Sequence, residues 1–90
     1  MGEWAAVIPG AWGMQTILYL EVGHDGSFGY SVLQNNQIVD YSSGMLTAAA
    51  GMLTANSDDG ESLTYRYSLL GEQLIVNMPE WGGNVAFYPQ

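Results

Sequence analysis

The side chains in this sequence that have catalytic or metal-binding chemistry are few and scattered. His24 is the only histidine and there is no cysteine, so a transition-metal site would need carboxylates as its other ligands, which is uncommon. The serines lack the Gly-x-Ser-x-Gly motif of a hydrolase nucleophile. We therefore predict no catalytic residue, no metal site and no cofactor, and we interpret His24 as an exposed turn residue.

Three acids, Asp58, Asp59 and Glu61, surround Gly60. Carboxylate oxygens are ligands that calcium prefers, but the spacing of these acids does not match an EF-hand loop. Asp-Gly sequences are also typical of tight turns. We interpret the cluster as a solvated turn with weak cation affinity at most.

Arg66 is the only lysine or arginine of the chain and lies between Tyr65 and Tyr67. Alternate side chains of a strand point to opposite faces, so the arginine faces away from both tyrosines. If the tyrosines fill a core, Arg66 points outward, and we expect it to pair with an acid on a neighbouring strand. The alternative is a lone cation inside the fold that binds a carboxylate.

The charge balance limits the possible partners. The 90-residue chain has nine acids and a net charge of −8. Phosphate binding needs lysine and arginine, so we predict no nucleic-acid partner, and the same deficit argues against an anionic membrane surface. The acids serve solubility or, alternatively, steer the protein toward a basic partner. The absence of cysteine suits a reducing compartment, and we expect a cytoplasmic protein without signal peptide or membrane span.

Short stretches of alternating apolar residues, separated by turn sequences, run along nearly the whole chain. This pattern predicts an all-β fold, a small antiparallel barrel of about eight strands in a single domain over residues 1–90. The predicted strands cover residues 12–22, 27–34, 37–43, 62–69, 73–78 and 84–88, with turns at Asp25-Gly26, Asn35-Asn36, Asp58-Asp59-Gly60 and Gly71-Glu72. Residues 1–9 are either a strand across the barrel base or a loose arm.

Residues 44–55 allow two interpretations. The sequence Gly-Met-Leu-Thr-Ala occurs there twice, seven residues apart, and its apolar residues would also line one face of a helix. Thr47 and Thr54 favour sheet, and the glycine in each copy weakens a helix. We predict two short strands joined at residues 49–50, with one short helical segment as the alternative.

Four segments of the chain form a recognisable set, namely Gly10-Ala11-Trp12, Asp25-Gly26-Ser27-Phe28, Ser43-Gly44-Met45-Leu46 and residues 65–74. Together they resemble small bacterial lipocalin-like domains. Gly-x-Trp is the lipocalin signature at the start of the first strand, so the resemblance implies that Gly10 and Trp12 are structural and that Trp12 packs across the barrel floor. The arginine that covers this tryptophan in lipocalins has no equivalent in residues 85–88, and we do not expect transport of a long ligand.

The connection between the last two predicted strands contains Glu80, Trp81, Gly82, Gly83 and Asn84. A two-residue turn would have sufficed there, and tryptophan is enriched in binding hot spots. These five residues are the predicted partner-binding loop. The alternative is a hairpin whose tryptophan folds back over the barrel mouth.

The loop and the small cysteine-free barrel resemble the staphostatins, a family of inhibitors of papain-like cysteine proteases. The resemblance implies a non-enzymatic, intracellular protease inhibitor in which Gly82 takes the place of the glycine before the would-be scissile bond. Trp81 would then fill an apolar subsite of the protease. The alternatives are a lipocalin-like binder of a small apolar ligand and a structural or dimerising module. The phenylalanines, tyrosines and methionines are numerous enough to fill the interior, so we expect no ligand cavity.

Overall fold

The computed structural model describes residues 2–10 and 15–90. They form a closed antiparallel barrel of eight strands, each paired with its neighbours in sequence order, which confirms the predicted all-β, lipocalin-like barrel. The strands are β1 (Gly2–Pro9), β2 (Gln15–Val22), β3 (Ser27–Gln34), β4 (Gln37–Ala49), β5 (Met52–Ser57), β6 (Ser62–Leu70), β7 (Gln73–Met78) and β8 (Gly83–Pro89). One 3-10 turn, Pro79–Trp81, joins β7 to β8 and is the only helical element among the residues described.

The N-terminal residues form a wall strand of the barrel. β1 pairs with β2 along its whole length and closes the barrel on β8 through two residue pairs. The expectation of a loose arm or a strand across the base was therefore wrong, because this strand has ladder partners on both sides. The Gly-x-Trp motif consequently precedes the second strand: Gly10 follows β1 directly, whereas Trp12 lies outside the described residues and its packing stays a prediction.

The predicted hairpin turns are present, with one difference in conformation. Asn35 and Asn36 take left-handed backbone angles, φ 53 and 62°, as a two-residue turn between β3 and β4 requires. In the β2–β3 turn only Gly26 takes a positive φ, of 88°, although Asp-Gly pairs favour turns in which both residues have a positive φ. Asp25 instead accepts hydrogen bonds from the N–H and hydroxyl of Ser27, at 3.0 and 2.6 Å, and these bonds lower the pKa of its carboxyl.

Residues 44–55 are strands, and the helical alternative was wrong. β4 extends to Ala49, beyond the predicted end at residue 43, and turns into β5 through Ala50 and Gly51 at φ 53 and 76°. Thr47 lies opposite Thr54, so the two copies of the repeated sequence occupy the two arms of one hairpin. Their backbone groups are satisfied across the ladder rather than within a helix.

The core lies inside the barrel and is built from alternate residues of the strands. Its buried apolar members are Ala6, Leu18, Leu20, Phe28, Val32, Leu53, Leu74, Val76, Met78, Val85 and Phe87. None of these belongs to β4 or β6. The side of the barrel formed by β4, β5 and β6 is therefore the less filled one.

Because successive strands run in opposite directions, the connections between them lie alternately at the two ends of the barrel. The β3–β4, β5–β6 and β7–β8 connections lie at one end, here called the mouth, and the β2–β3, β4–β5 and β6–β7 turns lie at the other, here called the far end. Over residues 2–10 and 15–90, no helix is long and apolar enough to cross a membrane.

Candidate functional site

The barrel interior contains a cavity of about 280 Å³ that reaches the mouth. Its deep wall is apolar and includes Leu20, Phe28, Leu53, Val76 and Phe87, and Met78 lines it next to the β7–β8 connection. Toward the mouth it is lined by three aromatic residues and three acids, namely Tyr30, Tyr65, Trp81, Asp40, Glu61 and Glu80. A mostly apolar chamber with a few polar groups converging on its entrance is the usual form of a small-molecule site.

Small residues of β4 and β5 leave this space open. Ser42, Ala55 and Ser57 line it. Large residues that could have filled it face outward instead, since Tyr41 is 60% and Met45 47% exposed. Leu63 faces inward but stands at the rim and is 50% exposed. Over residues 2–10 and 15–90, the side chains therefore do not fill the interior as expected, because residue counts do not reveal which face of a strand each residue occupies.

Tyr30 and Trp81 meet at the mouth. Tyr30 lies on β3, on the same face as buried Phe28 and Val32, so its ring points into the barrel. Trp81 is partly buried against the core, and its indole Nε1–H donates to the Tyr30 hydroxyl at 3.3 Å. Burial raises the pKa of the Tyr30 hydroxyl. The pair joins the β7–β8 connection to the opposite wall of the barrel.

Tyr65 and Glu80 form a second link across the mouth. The Tyr65 hydroxyl, from β6, donates to Glu80 Oε2 at 2.8 Å. Burial raises the pKa of this hydroxyl well above its usual range, and the hydrogen bond to the carboxylate raises it further. The neutral phenol therefore holds the Glu80 carboxylate beside the cavity.

Asp40 and Glu61 bring two more carboxyl groups to the cavity lining. Asp40 lies opposite Val32 in register, just past a bulge in the β3–β4 ladder, so the acid shares the inward face of the sheet. Glu61 precedes β6, where its carbonyl oxygen accepts the Ser57 N–H at 2.8 Å. Both acidic residues lie close to connections at the mouth, where a side chain that faces inward still contacts water.

The predicted partner-binding loop is folded onto the mouth. Glu80 and Trp81 lie in the 3-10 turn and line the cavity. Gly82 ends the turn at φ 91°, with its N–H donating to the Pro79 carbonyl oxygen at 3.1 Å. Gly83 and Asn84 begin β8, where Asn84 Oδ1 accepts a hydrogen bond from Asn77 at 3.1 Å. Two of the five predicted residues therefore face the cavity, and the other three lead back into the barrel wall.

The remaining candidates from the sequence lie away from this cavity or serve turns. His24 is exposed in the β2–β3 turn at the far end. Asp58 accepts the Ser43 hydroxyl at 2.9 Å, and Asp59 accepts the N–H of Glu61 at 3.1 Å, as in a turn stabilised by its own acids. In the described part of the chain, no three His, Cys, Asp or Glu side chains form a group that could hold a metal.

Arg66 is exposed on β6, between two inward tyrosines, as predicted. Its register partner on β5 is Met52 rather than the acid that was expected. The single arginine is therefore an outer-surface residue and does not enter the cavity. The alternative, a lone cation inside the fold that binds a carboxylate, was wrong.

The sequence analysis did not assign four of the lining residues to a binding site: Tyr30 and Asp40 were not singled out, Tyr65 was expected in the core, and Glu61 was interpreted as a turn residue. The alternation of β3 and β6 does place both tyrosines on the inward face, so their polar hydroxyls were a usable signal. The inward position of Asp40 depends on the bulge between β3 and β4, and no pattern in the sequence predicted this bulge.

Comparison with protein-family models gave no match, and searches of curated proteins and of solved structures gave none either. The lipocalin-like architecture is therefore supported by the barrel itself. The likeness to staphostatins stays a hypothesis.

Proposed function

We propose that this protein is a non-enzymatic binding protein whose site is the cavity at the barrel mouth, and that the cavity takes a small ligand with an apolar body. The observation that carries the proposal is the space itself, about 280 Å³ lined by apolar and aromatic side chains and ringed by polar groups. An apolar cavity of roughly 150 Å³ is enough to bind benzene. The volume suits a single-ring compound and is too small for a long lipid chain.

Dispersion contacts and apolar burial would both favour a ligand in the cavity. Leu20, Phe28 and Val76 line this space, which the described side chains leave open. A ligand of matching size gains dispersion contacts with them and removes its own apolar surface from water, at roughly 25 cal/mol per Å². The link between Trp81 and Tyr30 forms part of the entrance before any ligand arrives, which limits the ordering cost of binding.

The proposal is tested by a substitution in the cavity wall that fills the cavity with a larger side chain. Ala55 lines the cavity, so Ala55→Leu places additional carbon atoms in the empty space. Thr54→Leu is the matched control, because Thr54 directly precedes Ala55 on β5 and faces the outer surface, where its hydroxyl lies 3.2 Å from that of Thr64. We expect 2-phenylethanol to bind wild type and Thr54→Leu with Kd below about 1 mM by isothermal titration calorimetry.

Ala55→Leu should lose that binding while keeping its melting temperature, since the added side chain enters existing space. Equal binding of 2-phenylethanol by Ala55→Leu and wild type would place the ligand elsewhere and overturn the proposal.

Inhibition of a papain-like protease by residues 80–84 is a second candidate function. The observation in its favour is that Gly82 is exposed and that, apart from its two chain neighbours, no residue has an atom within 4 Å of the position that a Cβ would take, so the backbone is accessible to a partner. Against it, the compact 3-10 turn differs from the extended backbone that a protease cleft binds. Inhibition therefore requires the turn to open.

The inhibitor hypothesis is tested with Gly82→Arg and a matched glycine. Gly60→Arg is the control, because Gly60 also has open space around it and a similar φ, 94° against 91°. Inhibition by wild type at micromolar concentration that is lost only in Gly82→Arg would support the hypothesis. Failure of the wild-type protein to inhibit any of several papain-like proteases would contradict the inhibitor hypothesis.

A further inference from the structure

The acids at the mouth indicate what kind of ligand the cavity selects, an inference that depends on the proposed function above. Asp40, Glu61 and Glu80 come from three separate parts of the chain and line one cavity. The cavity is therefore apolar in depth and negatively charged at its entrance.

The chain supplies no positive side chain to balance these acids. It has no lysine, and its only arginine, Arg66, is exposed on the outer face of β6 opposite Met52. His24 lies in a turn at the far end of the barrel. With a net charge of −8, the protein as a whole also attracts cations and repels anions.

The aromatic residues at the mouth add a second attraction for a cation. Tyr30, Tyr65 and Trp81 line the same part of the cavity as the acids, and aromatic ring faces attract organic ammonium groups. Tyr65 also fixes Glu80 by donating to Oε2 at 2.8 Å. A carboxylate offers roughly four acceptor positions, so this bond orients Glu80 and leaves acceptor capacity for a ligand.

A metal ion does not fit this arrangement as well as an organic cation does. Within residues 2–10 and 15–90, the acids do not gather into a group that could hold a metal. The adjoining cavity is lined mainly by carbon atoms, which a bare ion cannot use. A carboxylate-headed ligand such as a fatty acid would place its charge among the three acids.

We propose that the cavity binds small organic amines, with the aromatic or aliphatic body in the apolar chamber and the ammonium group at the mouth between the carboxylates and the aromatic rings. The chemical class is a primary or quaternary ammonium compound with an apolar part of about one ring. Size is set by the chamber, and the charge preference is set by Asp40, Glu61 and Glu80.

The test compares three ligands that share one ring and differ in charge. Phenethylamine, 2-phenylethanol and 3-phenylpropionate are titrated into the whole protein by isothermal titration calorimetry at low and moderate salt. We expect phenethylamine to bind about tenfold more tightly than the alcohol, and the carboxylate to bind more weakly than both. The advantage of the amine should shrink as salt is added, because salt screens charges at an open mouth.

Variants then separate a local effect from the overall charge. Glu80→Gln and Asp40→Asn should each reduce the affinity for phenethylamine by at least about threefold more than they reduce that for 2-phenylethanol. Glu72→Gln is the control, since it removes the same charge from an exposed turn at the far end of the barrel. It should change neither affinity.

The outcomes distinguish this inference from the proposed function. Binding of alcohol and amine with equal affinity, or equal losses in Glu72→Gln and Glu80→Gln, would overturn the preference for amines and leave the cavity as a ligand site. Absence of binding by all three compounds would overturn both.

Discussion

At the level of single residues, the two hydrogen bonds across the mouth are the contacts on which the site depends. Tyr65 to Glu80 and Trp81 to Tyr30 join β6 and β3 to the β7–β8 connection. Each tyrosine presents a ring to the cavity and a hydroxyl to the mouth, as buried tyrosines do when one end is apolar and the other polar. These bonds give the connection a defined position over the cavity.

The raised pKa of Tyr65 leads to an expected loss of stability at alkaline pH. The unfolded chain ionises this tyrosine near 10.0, whereas burial and Glu80 keep it neutral in the folded protein. Stability is therefore complete below about pH 10 and falls as the pH rises above it, because only the unfolded state gives up the proton. Urea unfolding at pH 8.5, 10 and 11 should show a shallower fall in Tyr65→Phe than in wild type. Equal slopes would contradict the assigned environment of Tyr65.

Trp81→Ala tests whether the loop is held against the barrel. The side chain is partly buried and packs on the core, so its removal should cost about 1–2 kcal/mol of unfolding free energy, less than the roughly 3–5 kcal/mol of a fully buried tryptophan. Trp81→Phe keeps most of the apolar contact and loses the bond to Tyr30, and should cost under about 1 kcal/mol. Unchanged stability in Trp81→Ala would indicate a free loop, as an inhibitory segment requires.

At the level of strands and turns, the sequence was most informative where a residue type favours one particular backbone conformation. The Asn35-Asn36 pair predicted a left-handed turn that the backbone angles confirm. Alternation also identified β3 and the inward tyrosines of β6. It could not identify β1 as a wall strand, because pairing with β8 joins residues more than eighty positions apart, such as Trp4 and Pro89.

The candidate site was predicted only in part, for a related physical reason. The loop containing Trp81 was identified from its composition, but the space beneath it depends on Ser42, Ala55 and Ser57 facing inward together. That arrangement is fixed by the register of two neighbouring strands, β4 and β5. Register follows from the closed barrel as a whole rather than from any one stretch of sequence.

Gly44 shows a close approach of two strands that only glycine permits. β4 pairs with β3 up to Met45 and with β5 from Gly44 onward, so Gly44 lies where the strand passes between two neighbours. A Cβ there would overlap the carbonyl oxygen of Asn56. Glycine at such a position is typical of a bend in a barrel strand.

Gly44→Ala should therefore destabilise the barrel by about 2–3 kcal/mol, because backbone atoms must move to admit the methyl group. Gly29→Ala is the matched control, since its Cβ would meet the movable Tyr41 hydroxyl at 3.3 Å. That variant should change the unfolding free energy by less than about 1 kcal/mol. Denaturant unfolding of both variants provides the comparison, and equal losses would contradict the described contact between β4 and β5.

At the level of the whole molecule, an excess of negative charge accompanies a small core. The chain has nine acidic residues and a single arginine. Repulsion among the negative charges destabilises the compact folded state. Raising NaCl from 0.01 to 0.3 M shortens the screening length several-fold and should raise the melting temperature by roughly 3–6 °C. The double variant Glu21→Gln, Glu72→Gln should show a smaller rise. A melting temperature that falls with salt would mean that charge repulsion is not a main cost of folding.

The central claim is that the mouth cavity is a ligand site, and a titration followed by ¹H–¹⁵N NMR tests it most directly. ¹⁵N-labelled protein is titrated with 2-phenylethanol and, separately, with phenethylamine. We expect saturable shifts of the Trp81 indole N–H and of the amides of Ser42 and Ala55, with the amides of His24 and Glu72 at the far end unaffected. Shifts confined to the far end or the outer face, or no saturable shift with either compound, would contradict the claim.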